Sequence, residues 1–235
     1  MKQYMEKPIP VLDDLEHTGK TAFVPSPLIQ VLETDRIKIA MQYPRLGFTH
    51  VVQHCFVRKE VEAMLQKAAD RLDPGYSFLI WDAWRPFALQ KELFDTYRVD
   101  IIKEFHLEDK SPEEQKKFIN KFVANPVRDP VLPPAHTTGG ALDLTILDKE
   151  GRELEMGCGF DDFTDKTRTA FFERKEAAEA PNADLIRRNR RFLHNLMLEA
   201  GFTNLPSEWW HYEYGDQNWS AVVGKPALYD GIFEL

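Results

Sequence analysis

Residues Ala141 to Leu147 alternate with a period of two: Leu142, Leu144 and Ile146 fall on one side of an extended chain, while Asp143, Thr145 and Leu147 fall on the other. A strand of this kind needs an apolar layer against one face and can carry an acid on the other. No other segment constrains the fold as tightly. The chain ahead of it adds a second constraint. Asn125-Pro126 and Asp129-Pro130-Val131-Leu132-Pro133-Pro134 cannot continue a helix, because each proline lacks a donor and restricts the residue before it. An extended loop is expected to deliver the chain to His136, and Gly139-Gly140 permit the sharp turn that folds His136 back beside Asp143.

Around this strand, apolar spacing predicts helices. Val61, Met64, Leu65, Ala68 and Leu72 form one stripe, ended by Asp73-Pro74-Gly75. Leu89, Leu93, Phe94, Tyr97, Ile101 and Phe105 form a second, and Ser111-Pro112-Glu113-Glu114 has the N-cap, first-turn proline and N3 glutamate of a third helix. Asn182 is expected to cap a fourth, with Leu185, Ile186, Phe192, Leu193, Leu196 and Met197 as its stripe and Gly201 just past its end. Ser77 to Trp84 reads as a buried strand ending at Arg85, since Pro86 blocks its continuation, and Glu208 to Tyr214 reads as a turn entering a strand. Before Tyr43, Val31-Leu32 and Ile37-Lys38-Ile39 are the strand-like pieces. The expected fold is α+β, a central and mostly antiparallel sheet covered by helices, in one domain over residues 1–235.

Composition narrows the function classes. The 235 residues are 43% apolar and carry 30 basic against 38 acidic side chains, a net charge of −8, with no run of five or six Lys/Arg. Neither a nucleic acid nor an anionic membrane would find its cations here, so both are excluded as partners. Cys55 and Cys158 are too few for a disulfide framework and lack the close spacing of a thiolate zinc site. The first eight residues contain no apolar signal core, and no window approaches the ~18 apolar residues of a membrane span. A reducing, cytoplasmic setting is expected.

The side chains suggest metal chemistry. Zinc takes imidazole nitrogen and carboxylate oxygen, and a catalytic site uses three protein ligands with one position left open. His136 and Asp143 supply two candidates, and His211, in an aromatic strand, a third. Glu208 lies three residues before His211, and positions three apart on a strand face opposite ways. If both serve one site, Glu208 must sit in the turn after Pro206-Ser207. Each residue has an ordinary alternative: a histidine bonded within the core, Arg85 paired with a surface carboxylate, Asp161 or Asp162 capping a turn. Trp81, Trp84, Trp209 and Trp210 read as core, and His17, His50, His54, His106 and His194 as structural or surface residues.

The joint pattern goes further. His136-Thr-Thr-Gly-Gly-Ala-Leu-Asp143 followed by Glu208-Trp-Trp-His211 resembles the D-alanyl-D-alanine dipeptidases, the VanX-type zinc peptidases. Trp81-Asp-Ala-Trp-Arg85-Pro86 is similar to that family's arginine-bearing strand, and Met156-Gly-Cys-Gly-Phe-Asp161-Asp162-Phe163 to the segment between its second and third ligands. The four motifs occur in family order from about Phe48 to Tyr214, with the first forty residues matched loosely. The resemblance implies one zinc held by His136, Asp143 and His211, Glu208 as general base and Arg85 stabilising the transition state. It also implies an acid for the substrate ammonium, Asp161 or Asp162, and a serine two residues before the first histidine. That serine position holds Pro134, so carboxylate binding would pass to another donor such as Thr137 or Thr138. The implied activity is hydrolysis of the D-Ala-D-Ala dipeptide. A zinc carboxypeptidase or endopeptidase acting on peptidoglycan stems, or a zinc-bearing module without catalysis, are the alternatives.

Overall fold

A computed structural model describes residues 2–235. In chain order the strands are β1 (Leu28–Gln30), β2 (Ile37–Ile39), β3 (Phe56–Arg58), β4 (Ser77–Asp82), β5 (Ala141–Leu147), β6 (Thr203–Asn204) and β7 (His211–Glu213). The helices are α1 (Lys2–Glu6), α2 (Gln42–Arg45), α3 (Lys59–Ala69), α4 (Phe87–Glu104), α5 (Pro112–Ile119), α6 (Ala183–Ala200) and α7 (Gln217–Val223). β2, β4, β5, β7 and β6 lie side by side in that order, with β2 parallel to β4 and every other pair antiparallel, while β1 and β3 form a separate antiparallel pair. The expected α+β architecture, mostly antiparallel and covered by helices, is borne out.

The alternation in β5 decides which way the sheet faces. Phe78 lies opposite Ile146 and Ile80 opposite Leu144, so these side chains share one face with Leu142. Val61, Leu65 and Ala68 of α3, with Phe192, Leu193, Leu196 and Met197 of α6, are buried in the same core. Each fully buried side chain of this size contributes about 1.5–3 kcal/mol. A second cluster, built on Leu89, Leu93 and Ile101 of α4 and Ile119 of α5, forms a helical flank. The Ser111 capping box starts α5 as its sequence predicts: Glu114 N–H donates to Ser111 Oγ, and Ser111 N–H donates to the Glu114 carboxylate.

Three local expectations change. β1 covers residues 28–30 rather than Val31-Leu32, and Leu32 stands exposed. β4 ends at Asp82, because beyond it Trp84 N–H turns to the Phe56 carbonyl and Arg85 N–H to that of His136. Asn182 adopts a left-handed backbone (φ 59°), which takes its side chain away from the first-turn N–H groups, so it makes no cap bond; Leu185 is exposed and drops out of the α6 stripe. Residues 8–27 form a strap with almost no regular structure. It is tied at one end by Asn195, whose amide donates to the Tyr4 and Lys7 carbonyls, and at the other by backbone bonds from Ala22 and Val24 to residues 227 and 228. No helix among the described residues is long and apolar enough to cross a membrane.

Candidate metal centre

The sheet register assembles the site. Asp143 on β5 lies opposite His211 on β7 and opposite Asp82 on β4. The pairing slips between Ile80 and Asp82, so that two steps along β4 match one along β5. In a regular strand Asp82 would share the core face of Ile80. The bulge turns it to the other face, beside Asp143. His136 arrives from the loop on a single 3-10 turn, Ala135–Thr138, which Gly139 closes at φ 71°. At Gly140 an added Cβ would lie 2.5 Å from the Tyr214 carbonyl oxygen, so the close approach to the chain after β7 requires glycine.

His136, Asp143 and His211 are all buried, and their ligand atoms lie within 4.8 Å of one another. His136 Nδ1 is 2.7 Å from the Ala83 carbonyl oxygen and must donate to it, which leaves Nε2 as a lone pair. His211 Nε2 is 2.9 Å from Glu213 Oε2, which leaves Nδ1 facing inward. The two inward nitrogens are 3.2 Å apart, with Asp143 oxygens 3.3 Å from His136 Nε2 and 3.0 Å from His211 Nδ1. Such a set of lone pairs and carboxylate needs a positive charge at its centre. The electrostatics agree: although burial opposes the charged ring, the Glu213 and Asp143 carboxylates hold the His211 imidazole well above its ordinary value. Burial likewise opposes the charged form of Asp143, yet His136 and His211 hold it far below the usual carboxylate range. Two imidazoles and a carboxylate converging in this way fit a divalent zinc.

Glu208 sits in the turn between β6 and β7, where its N–H donates to the Leu205 carbonyl, and one carboxylate oxygen lies 3.8 Å from His211 Nδ1. Burial pushes its carboxyl up to about 8, with Asp143 and Asp161 adding to the shift against the pull of His211 and Arg85. Asn204 holds this turn in place by donating to the carbonyls of Glu208 and His211 at 3.0 and 2.8 Å. Arg85 is buried: Nε and Nη2 bond Asp82 at 3.0 and 2.7 Å, Nη1 bonds Gln90 at 2.7 Å, and Nη2 also reaches the Tyr43 hydroxyl at 3.1 Å. Of the five guanidinium N–H groups, one on Nη1 is left.

His136, Asp143, His211, Glu208 and Arg85 line a cleft of about 530 Å³, together with Asp161, Pro134 and, from the strap, Asp14, Leu15 and His17. Asp161 accepts from the hydroxyls of Tyr43 and Tyr97 at 3.0 and 2.9 Å, and burial pushes its carboxyl up to about 6. Asp162, one residue on, is outside the lining. So are Thr137 and Thr138, whose hydroxyls donate back to the Pro134 and Ala135 carbonyls at 2.7 and 2.6 Å within their own turn. Asp82, Gln90, Tyr43, Tyr97 and Glu213 are site residues that the sequence reading did not single out. Glu213 was findable, because positions two apart on a strand share a face. Asp82 lies within the Trp81 to Pro86 motif, while Tyr43 and Tyr97 have no local signal.

Comparison with known proteins places this geometry in context. A peptidase family profile described as D-ala-D-ala dipeptidase matches residues 46–229. A D-alanyl-D-alanine dipeptidase of Synechocystis is 32% identical over an alignment of 161 residues, covering 63% of this chain and 64% of the relative. One of Escherichia coli is 29% identical over 160 residues, covering 68% and 66%. The chain thus spans just under two thirds of the length of these relatives. Among solved structures, the LdcB LD-carboxypeptidase overlays with a TM-score of 0.42 at 18% identity, covering 86% of this chain and 73% of its own.

Proposed function

The chain belongs to the D-Ala-D-Ala dipeptidase family of peptidases, and from that premise we propose that it hydrolyses D-alanyl-D-alanine to two molecules of D-alanine, with His136, Asp143 and His211 holding one zinc and Glu208 moving the proton. The observation that carries this reading is the convergence of three buried ligand atoms at the floor of a cleft, with a carboxylate 3.8 Å from one of them. Zinc held there would supply Lewis acidity, lowering the pKa of water towards ~7 and polarising the peptide carbonyl.

The protein's own groups do the rest. Glu208, whose carboxylate lies 3.8 Å from His211 Nδ1, accepts a proton from the attacking water. The protonated carboxyl then returns that proton to the departing amine, which could not leave as an anion. The free Nη1 N–H of Arg85 is the donor for charge developing on the carbonyl oxygen, and Asp82, Gln90 and Tyr43 hold its plane fixed. Asp161 is the partner for the substrate ammonium. Its two phenols share Oδ2, and as a carboxylate it places a negative charge on the cleft wall.

The test is release of D-alanine from D-Ala-D-Ala by zinc-loaded protein, beside a chelated sample and L-Ala-L-Ala. Chelator-sensitive, D-selective release is expected; a zinc-bound protein that releases nothing would overturn the reading. Pro134 in the cleft wall, and a cleft roomier than two alanines require, favour one second reading, a carboxypeptidase or endopeptidase on longer stem peptides. A blocked tripeptide cut faster than any dipeptide would select it. For a dipeptide substrate, we place the protein in the cytoplasm.

A further inference from the structure

The outer nitrogen of His211 is the first link of a hydrogen-bond chain that ends in the strap. Glu213 lies two residues beyond His211 on β7, so both side chains leave the strand on one face. β7 is flanked by β5 and β6, where Glu213 lies opposite Ala141 on one edge and Thr203 on the other, and this fixes its backbone. Its carboxylate can still turn about its own bonds. The side chain is fully buried, and Oε2 both faces His211 Nε2 at 2.9 Å and accepts from Asn218 Nδ2 at 2.8 Å.

Asn218 sits in the first turn of α7, which Asp216 starts by accepting from the Trp219 N–H at 2.9 Å. Its amide can face Glu213 in one sense only, because a carboxylate accepts and the NH2 end alone can donate. The oxygen end is therefore left for the other neighbour, His17 of the strap. His17 Nε2 lies 2.5 Å from Asn218 Oδ1 and must carry the proton of that bond. The strap is tied nearby through Arg168, which donates to Asp14 at 2.8 Å and to the Leu12 carbonyl at 3.1 Å. An exposed histidine of the strap thus reaches a buried ring of the metal centre through two side chains, Asn218 and Glu213.

We propose that Asn218 is a positioning residue of the metal centre, fixing the Glu213 carboxylate on His211, and that His17 sets Asn218 in place, so that seating of the strap tightens the hold on the metal. This inference rests on the reading of His136, Asp143 and His211 as zinc ligands. A ligand imidazole offers one nitrogen to the metal, and the bond made by its other nitrogen sets the ring's orientation and basicity. Here the inward atom is Nδ1, and Glu213 holds Nε2. Asn218 donates to the same oxygen that holds the ring. His17, by engaging the amide oxygen, keeps the amide from turning that oxygen towards Glu213, where acceptor would meet acceptor.

The experiment measures zinc affinity of the full chain by competition with a chromophoric chelator. No substrate is present, so a contact of His17 or Asn218 with substrate, both being cleft-lining residues, does not enter the result. Thermal unfolding of each metal-free variant checks that it is folded. Asn218→Ala should weaken zinc roughly ten- to a hundredfold and, with cobalt(II) in place of zinc, should displace the visible absorption bands. His17→Ala, at an exposed position, keeps the test decisive if Asn218→Ala fails to fold; it should weaken zinc by roughly two- to tenfold. His17→Gln, whose amide N–H has a similar reach, should recover most of that loss. Wild-type affinity and an unshifted cobalt spectrum in Asn218→Ala would overturn the inference alone. A loss in Asn218→Ala with none in His17→Ala, or a His17→Gln variant no better than His17→Ala, would overturn the strap's part in it. A wild-type chain that takes up no zinc would overturn the metal reading itself and this inference with it.

Discussion

Of the three arginines buried among the described residues, Arg58, Arg85 and Arg190, the last two are held in opposite ways. Arg85 faces the cleft and is matched by a carboxylate, Asp82, with Gln90 and Tyr43 completing its shell; these partners, Tyr43 and Asp82 foremost, keep it fully charged although burial works against the charge. Arg190 faces the seam between α6 and residues 156–168. It donates to the carbonyls of Met156, Arg168 and Lys166 at 2.8, 2.7 and 2.6 Å and lies 4.8 Å from the centre of the Phe172 ring, and burial pushes it down to about 10. A charge balanced by a charge, with one donor left over, is positioned for chemistry. A charge spread over backbone carbonyls is a clamp, and this one holds the loop that brings Asp161 to the cleft.

The contrast can be broken by experiment. Glu208→Gln should lower turnover of D-Ala-D-Ala by roughly 10²–10⁴-fold while leaving zinc content and thermal stability intact; loss of folding instead would make the cleft as structural as the seam. Arg190→Met should do the reverse, costing roughly 3–5 kcal/mol of stability by denaturant titration because three buried carbonyls lose their donor. Residual folded enzyme should show its defect in KM before kcat.

A pH experiment sharpens the comparison along the same helix. His194 is pushed down to about 4, by burial first and Lys7 second, whereas the unfolded side chain takes its proton near ~6.5. Between those values the unfolded state binds the extra proton. Stability is therefore complete above about pH 6.5 and falls as the pH drops towards 4, by about 3 kcal/mol, and His194→Leu should flatten that part of the profile. The smallest effect is expected at the cleft edge. Asp161→Asn should raise KM for the free dipeptide by roughly ten- to a hundredfold. Because burial pushes Asp161 up to about 6, the wild-type KM should climb as the pH falls through that value, and an N-acetylated peptide should show no such climb.

How legible each region was follows from what its partners are. The arms of the candidate metal centre stand out jointly, through motifs that resemble a known family in the same order, and β5 occupies the seven residues its alternation predicts. Arg85 stands out only through the likeness of Trp81 to Pro86 to a family motif, and its partner Asp82 depends on a bulge that no periodicity reveals. Arg190 could not, since carbonyls are the same for every residue and its partners lie in a loop of no regular pattern. Asp161 and Asp162 are indistinguishable in the sequence. The left-handed backbone at Asp161 (φ 54°) belongs to a turn that leaves one in the cleft lining and the other outside it. Thr137 and Thr138 are the same residue type side by side, and the single 3-10 turn that holds them engages both hydroxyls with its own carbonyls.

The strap gives the molecule a further property. Asp14, Leu15 and His17 reach the cleft from a segment that precedes residue 46, where the family match begins, and Ile9 and Leu12 of the same segment wall a smaller cavity of about 80 Å³ that shares Pro206 with it. The residues of the candidate metal centre and the stretch that borders both cavities are thus written far apart in the chain. Substitutions in the strap can thus reshape the border of the cleft while leaving the strands that carry His211 and Asp143 as they are.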